Sequence, residues 1–343
     1  MAPILSAEVN RRSQIVNERG SRPLCPFRAT AFAIAPPGGD RFCPPKIEIE
    51  IGIEIDIDFD LEFFGRGKRL PPPGDSVGVA GMWNPPRLLL LALLFASPAS
   101  AQDGLQAVAC AGRYDGHLQG VATNKVDTLW WSWTTALVKT DRAGQVLGRI
   151  TVPSHAGDLT YRDGKVYVAF NFGRFNQPEG EADSWIVVYD GDTLAELERH
   201  AIPELIHGAG GIAHHGDRFV VVGGLPVGAE ENLVYEYDLN FVLLRRHTLP
   251  TGYTRLGIQT IEYADGAWWL GCYGNPRGQP GVLLRTDGEF RLTGRWAFSA
   301  GIGLAHLGDG RFLVGHNQGN RQDRYRGWLE AARLHPERGL VLE

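Results

Sequence analysis

Four stretches share one grammar: ALVKTDRAGQVLGRITVPS from Ala136, WIVVYDGDTLAELERHAIP from Trp185, NLVYEYDLNFVLLRRHTLP from Asn232 and GVLLRTDGEFRLTGRWAFS from Gly281. A fifth, WLEAARLHPERGLVLE, starts at Trp328. Each pairs two β-rich runs around a turn residue: Asp141, Asp190, Asp238, Asp287 and His335. The intervals between those positions are 49, 48, 49 and 48 residues. So constant a period marks repeated supersecondary units that stack to bury apolar surface.

Ahead of each hairpin lies a second one, turning at Val126-Asp127, Asp163-Gly164, Gly216-Asp217, Asp265-Gly266 and Asp309-Gly310. Asp and Gly tolerate the positive φ angles of two-residue hairpin turns. The strands that follow read LWWSW, VYVAF, FVVVG, WWLGC and FLVGH. Each repeat is therefore a unit of four antiparallel strands. Residues 102–343 number 242, or five such units of about 48. A single unit leaves both faces wet, and five closed in a ring leave only short edges. The expected fold is all-β, a five-bladed β-propeller. Ring closure is expected from residues 105–111 pairing with the last blade beside residues 339–343, with the outermost of the two left open.

Nothing upstream belongs to that ring. Arg87 leads an apolar run over residues 88–96, and Ala99-Ser100-Ala101 supplies small residues for cleavage before Gln102. Residues 82–101 thus read as a signal peptide, too short in its apolar part to anchor a membrane stably. Export to the periplasm or the extracellular space follows. Residues 1–81 read as a low-complexity, disordered or mis-called extension, with the apolar/acidic alternation IEIEIGIEIDIDFDLEFF from Ile47.

Composition narrows the partners. The 34 basic and 39 acidic side chains are well mixed, so no basic stripe is present for nucleic acid. A monomer is expected. Of the four cysteines, only Cys110 and Cys272 follow the cleavage point, and they are expected to be buried and unpaired. Trp130, Trp131, Trp268 and Trp269 are expected to pack blade on blade, whereas Trp133, ending its strand, is a candidate to stack on a ligand.

In a propeller the inner strands line a channel, and the residues opening them converge at one mouth. Here those openings are GHLQGVAT from Gly116, SHAGDLTY from Ser154, HGAGGIAHH from His207, YTRLGIQTIEY from Tyr253 and SAGIGLAHL from Ser299. Three carry an imidazole: His117, His155 and His207. Three imidazoles at one mouth fit a divalent metal with an open position. Asp158, Arg255 and Gln259 are the candidate catalytic groups, with Asp158 as base or fourth ligand. Gln119, Asn171, His316 and Asn317 join Trp133 as candidate ligand-binding residues. Neighbouring glycines are expected to keep the throat open. The insertion FNFGRFNQPEGEADS from Phe170 lies on the same face. His200, His214, His215, His247 and His335 are expected at solvated surface, and His306 away from the mouth.

Gln119-Gly120-Val121 resembles the first-blade Gln-Gly-Leu of the propeller-type glutamine cyclotransferases. IQTIEY from Ile258 resembles that family's Asn-Glu-Leu-Glu-Tyr strand. Gly157-Asp158-Leu159 stands where the family has Gly-Glu-Gly-Leu, and Gln259 stands at its asparagine. The resemblance implies the five-bladed fold and an acyl-transferring activity. Three readings follow for the exported propeller: a binding module for a small polar molecule, sugar or peptide-like; a metal-dependent hydrolase or lyase of the lactonase-like kind; and a cyclotransferase-like enzyme.

Overall fold

The computed structural model describes residues 107–274 and 280–343. The expected extension and signal peptide lie outside the described residues. The first strand of the described residues is short, β1 (Ala107–Ala109). The first blade follows as β2 (Leu118–Thr123), β3 (Thr128–Trp133), β4 (Ala136–Asp141) and β5 (Val146–Thr151). The second is β6 (Ala156–Arg162), β7 (Lys165–Asn171), β8 (Ser184–Asp190) and β9 (Glu196–Ala201). The third is β10 (Ala209–His215), β11 (Arg218–Gly223), β12 (Asn232–Tyr237) and β13 (Leu243–Leu249). The fourth is β14 (Arg255–Ala264), β15 (Ala267–Tyr273), β16 (Val282–Thr286) and β17 (Leu292–Ala297). The fifth begins with β18 (Leu304–Gly308), β19 (Arg311–Gln318) and the long β20 (Arg326–His335), and ends with β21 (Gly339–Leu342). In every blade, neighbours in sequence are neighbours in the antiparallel sheet.

The first and last described strands share the outermost position of the fifth blade. β1 pairs with Trp328 to Glu330 of β20, and β21 pairs with Ala332 to His335 of the same strand. The ring is thus fastened by hydrogen bonds between segments more than 200 residues apart in the chain.

The 48-residue period has a physical cause. Asp141 Oδ1 accepts the amides of Ala143 and Gln145, each at 2.9 Å. Asp190, Asp238 and Asp287 cap their own outer turns in the same way. In the fifth blade His335 Nδ1 takes over, accepting the amides of Glu337 and Arg338 at 3.2 Å. A short side-chain acceptor satisfies turn amides that the strand ladder leaves unpaired. The inner hairpins turn as their Asp-Gly pairs require, with φ of 50° and 80° at Asp163 and Gly164, and 50° and 74° at Asp265 and Gly266.

The core is divided among the blade interfaces. Trp131, Val138, Leu313 and Leu329 join the first and fifth blades, and Trp130, Leu137, Leu159 and Val187 join the first and second. Ile186, Ile212 and Tyr235 fill the next interface, Val220, Ile261 and Leu284 the one after, and Trp269, Leu283 and Phe312 the last. The paired tryptophans point to opposite faces of their strand, so each serves one neighbouring blade, as expected. Trp130 stacks on Tyr161 at 4.4 Å between ring centroids. Cys110 and Cys272 are buried and unpaired, and burial raises the Cys110 thiol to about 11 and the Cys272 thiol to about 12.

Candidate functional site

The inner strands approach one another so closely that the channel closes at its waist. A Cβ on Gly211 would stand 2.7 Å from the Gln259 carbonyl oxygen, and one on Gly210 would stand 3.0 Å from that of Ile258. One on Gly157 would run into the carbonyl of Gly210. These glycines let the inner strands of neighbouring blades pack together, and the Asp158 carboxyl, reaching Ile261 across the axis, fills the throat that the sequence led us to expect open.

Asp158 fills the space left on the first blade's side. It is fully buried, and a Cβ on Gly120 would collide with its carboxyl and stand 2.5 Å from its Cα. Its Oδ2 accepts the Ile261 amide of the fourth blade at 3.2 Å, and the amides of Leu159 and Val121 also support the carboxylate. Burial outweighs those amides and pushes the carboxyl well above the ordinary carboxylate range. Asp158 therefore joins three blades at the axis. A solvent-reachable base or metal ligand at the mouth, the expected role, does not fit that burial.

At the mouth nominated from sequence, two of the three histidines meet. His117 and His155 have ring centroids 6.3 Å apart, and both are half-buried. Tyr273, at the end of β15, links them through Gln119. The Tyr273 hydroxyl donates to Gln119 Oε1 at 2.9 Å and lies 3.3 Å from His117 Nε2. Gln119 Nε2 lies 2.7 Å from His155 Nε2. One proton arrangement satisfies the whole chain: His117 Nε2–H donates to the phenol, the phenol to the amide oxygen, and the amide N–H to His155 Nε2. It spans the first, second and fourth blades.

His207 does not join them. Its Nδ1 lies 2.8 Å from the Gln177 carbonyl, which belongs to the insertion. Among the described residues, no three His, Cys, Asp or Glu side chains are grouped to hold a metal. The expected three-histidine metal centre is therefore not formed, and the hydrolase or lyase reading loses its ligand set.

The insertion is folded over this mouth. Its ends are tied by the Phe172 amide to the Asp183 carbonyl at 2.8 Å and by the Asp183 amide to Asn171 Oδ1 at 2.9 Å. Asn171 is buried and also donates to the Gly173 carbonyl, so it builds the loop and is not offered to a ligand. Phe175 packs against Gly208 and Gly210, with its ring centroid 6.3 Å from that of His155.

The remaining expected residues have other partners. Trp133 is fully buried and stacked on Tyr114 at 4.1 Å, closed in by Gly327, so no ligand reaches its face. His316 stacks flat on Trp328 at 5.5 Å, and burial lowers its pKa. Asn317 Oδ1 accepts the Leu118 amide at 3.2 Å, bracing the fifth blade against the first. Buried Gln259 donates to the Leu256 carbonyl and supports the positive-φ bend at Leu256 and Gly257. Arg255 is half-buried beside the mouth and donates to the Gly274 carbonyl at 3.0 Å. Asp158, the acid of the Gly157-Asp158-Leu159 motif that stands at the cyclotransferase family's Gly-Glu-Gly-Leu, is sealed from solvent.

Sequence reasoning missed Tyr273. The one available sign was its place directly after the second-strand run WWLGC, the position that Asn171 and Asn317 hold after VYVAF and FLVGH. It also placed His214 at solvated surface. His214 is half-buried instead, its Nδ1 lies 3.0 Å from the Thr160 hydroxyl, and burial lowers its pKa to about 4.

The chain matches no family profile, and no curated protein matches it in sequence. Among solved structures it is similar to a protein of unknown function from Bacteroides caccae, with 16% identity and a TM-score of 0.42, over 69% of this chain and 94% of that one. It is also similar to the RS223 β-xylosidase, at 13% identity and a TM-score of 0.45, over 67% and 95% of the two chains. A third is the GH43_1 enzyme from Xanthomonas citri complexed with xylose, at 14% identity and a TM-score of 0.46, over 69% and 93%. The strand order alone establishes the five-bladed propeller.

Proposed function

We propose that this protein is an exported β-propeller that binds a small polar molecule, sugar or peptide-like, at the mouth where His117, His155 and Tyr273 meet. One observation carries the reading: side chains from three blades are locked into a single hydrogen-bonded chain at the rim, in which Gln119 is buried and His117, His155 and Tyr273 are half-buried. Polar groups held in fixed rotamers meet a ligand with little further loss of conformational freedom. Phe175 adds an apolar wall, and Arg255 a cation beside it. Such a mixture of a few placed polar groups with aromatic surface is what small-molecule sites use.

Export rests on the signal-like run at residues 82–101. No helix among the described residues is long and apolar enough to cross a membrane. Binding is tested by screening monosaccharides and short peptides by thermal shift and titration calorimetry. A genuine ligand raises the melting temperature of the wild type and loses affinity in His155→Ala. A panel without a single binder, or binders indifferent to that change, contradicts the reading.

A further inference from the structure

The fifth blade carries an open hollow of about 810 Å³, built from β1 and the segment after it, the end of β19 and the start of β20. Strand alternation puts Arg326 and Trp328 on one face of β20. In register, Gln318 stands opposite Arg326, while His316 and Ala109 flank Trp328 on its two sides. The indole is held in place. His316 stacks flat on it at 5.5 Å, and its Nε1 donates to Glu330 Oε1 at 2.8 Å. On the other flank Ala109 is too short to cover it, and Trp328 stays partly exposed as a wall of the hollow.

The charged groups on this wall are both cations, Arg113 and Arg326. Arg113 donates through Nη1 to the carbonyls of Asp323 at 2.6 Å and Arg324 at 3.4 Å, which fixes its guanidinium without neutralising it. The Arg326 side chain, exposed, makes neither a hydrogen bond nor an ion pair. Neighbouring carboxylates are engaged elsewhere: Asp115 pairs with Arg324 at 2.8 Å, Asp323 accepts from Asn320 at 2.9 Å, and Glu330 takes the indole. The backbone amides of Gly112 and Arg113, exposed residues of the same wall, have no partner among the described residues either. Two like charges facing one hollow repel each other, and an anion between them removes that cost. Guanidinium forks match the paired oxygens of a carboxylate, and the open flank of an indole suits a flat apolar body beside it. The volume is that of a small-molecule site.

We propose that this hollow is a binding site for an aromatic carboxylate, whose oxygens bond the Arg113 and Arg326 forks and whose ring lies against Trp328. It uses none of the residues of the histidine rim and stands whether or not that rim binds.

The test is a proton–nitrogen correlation NMR titration of the purified protein, with the Trp328 indole N–H signal identified as the one lost in Trp328→Phe. The probes are phenylacetate, its neutral amide phenylacetamide, and inorganic phosphate. Phenylacetate is expected to move the signal saturably, with the amide and phosphate at least about tenfold weaker. Arg326→Gln should weaken phenylacetate about tenfold, the effect of losing one charge-assisted hydrogen bond. Arg326 makes no bond within the fold, so its loss leaves the blade intact. Arg326→Lys keeps the charge without the fork, and its affinity should fall between the two. Arg338→Gln removes an exposed charge from the outer turn of the same blade and should leave binding unchanged within about twofold. A signal that phenylacetate does not move, equal binding of the amide or of phosphate, or the same loss in Arg338→Gln as in Arg326→Gln would each overturn the proposal.

Discussion

Asp158 of the second blade accepts the amide of Ile261 in the fourth blade at 3.2 Å, across the axis of the ring. Asp158 fits there because Gly120, in the first blade, has no side chain where the carboxyl and its Cα lie. Gly120→Ala forces a methyl into the carboxyl and against the Asp158 Cα, where neither can yield without moving an inner strand. Overpacking of this kind costs about 1–3 kcal/mol, more where backbone is struck. Equilibrium denaturation should show Gly120→Ala among the most damaging single-methyl additions in the chain.

The same carboxyl separates a structural role from a catalytic one. Burial holds Asp158 well above the usual carboxylate range, so its neutral form is favoured, and an amide reproduces that form with an acceptor for Ile261. Asp158→Asn should therefore cost less than about 1 kcal/mol. Asp158→Ala strips an acceptor from buried amides and should cost about 2–3 kcal/mol. Chemical denaturation of the two variants checks the ordering, and equal costs would refute it.

At the other mouth, stability depends on pH through Glu262. Its folded value of about 7 lies above the ordinary 4.5, so the folded chain holds this proton more tightly than the unfolded chain. The stability that it contributes is fully present below the unfolded value and is lost as pH rises through about 7. Glu262→Gln removes that dependence. Relative to wild type the variant should gain stability between about pH 5 and pH 8, by an amount bounded near 3 kcal/mol and reduced by solvent screening. His214 works in the opposite direction, losing stability as pH falls from 6.5 towards 4. It is common to both proteins and cancels in the difference. Parallel melts of variant and wild type across this range provide the check.

The turn residues offer a gain in stability. Four blades cap their outer hairpin with an aspartate, and the fifth uses His335, whose two bonds are 3.2 Å long. His335→Asp places the shorter acceptor of the other blades in the same turn. It should be neutral or stabilising by up to about 1 kcal/mol, read as a rise in melting temperature.

Those turn residues are also why the architecture was legible in the sequence. A hairpin cap is a local device that repeats whenever the blade repeats, so its spacing survives even where the strands around it diverge. The two inward facts of the channel leave no comparable trace. Gly157, Gly210 and Gly211 read equally well as spacers or as points of closure, and only the packing of neighbouring strands decides. His117, His155 and His207 open equivalent strands, yet one carbonyl, that of Gln177, turns the third away from the other two. Trp133 looked available because it ends a strand. Tyr114, from the segment that closes the ring, covers it. Long-range contacts of this kind are set by how the chain ends meet, and no periodicity announces them.

On the proposed function, ligand meets the protein at the His117 and His155 rim. An NMR titration resolves it by following the imidazole Cε1–H signals of the mature protein as binders from the sugar and peptide panel are added. The His117 and His155 signals should move in proportion to occupancy, and Tyr273→Phe should weaken the response about tenfold through loss of the bridging hydroxyl. Saturating ligand that leaves both signals in place, whatever happens at His214 and His306, would contradict the claim.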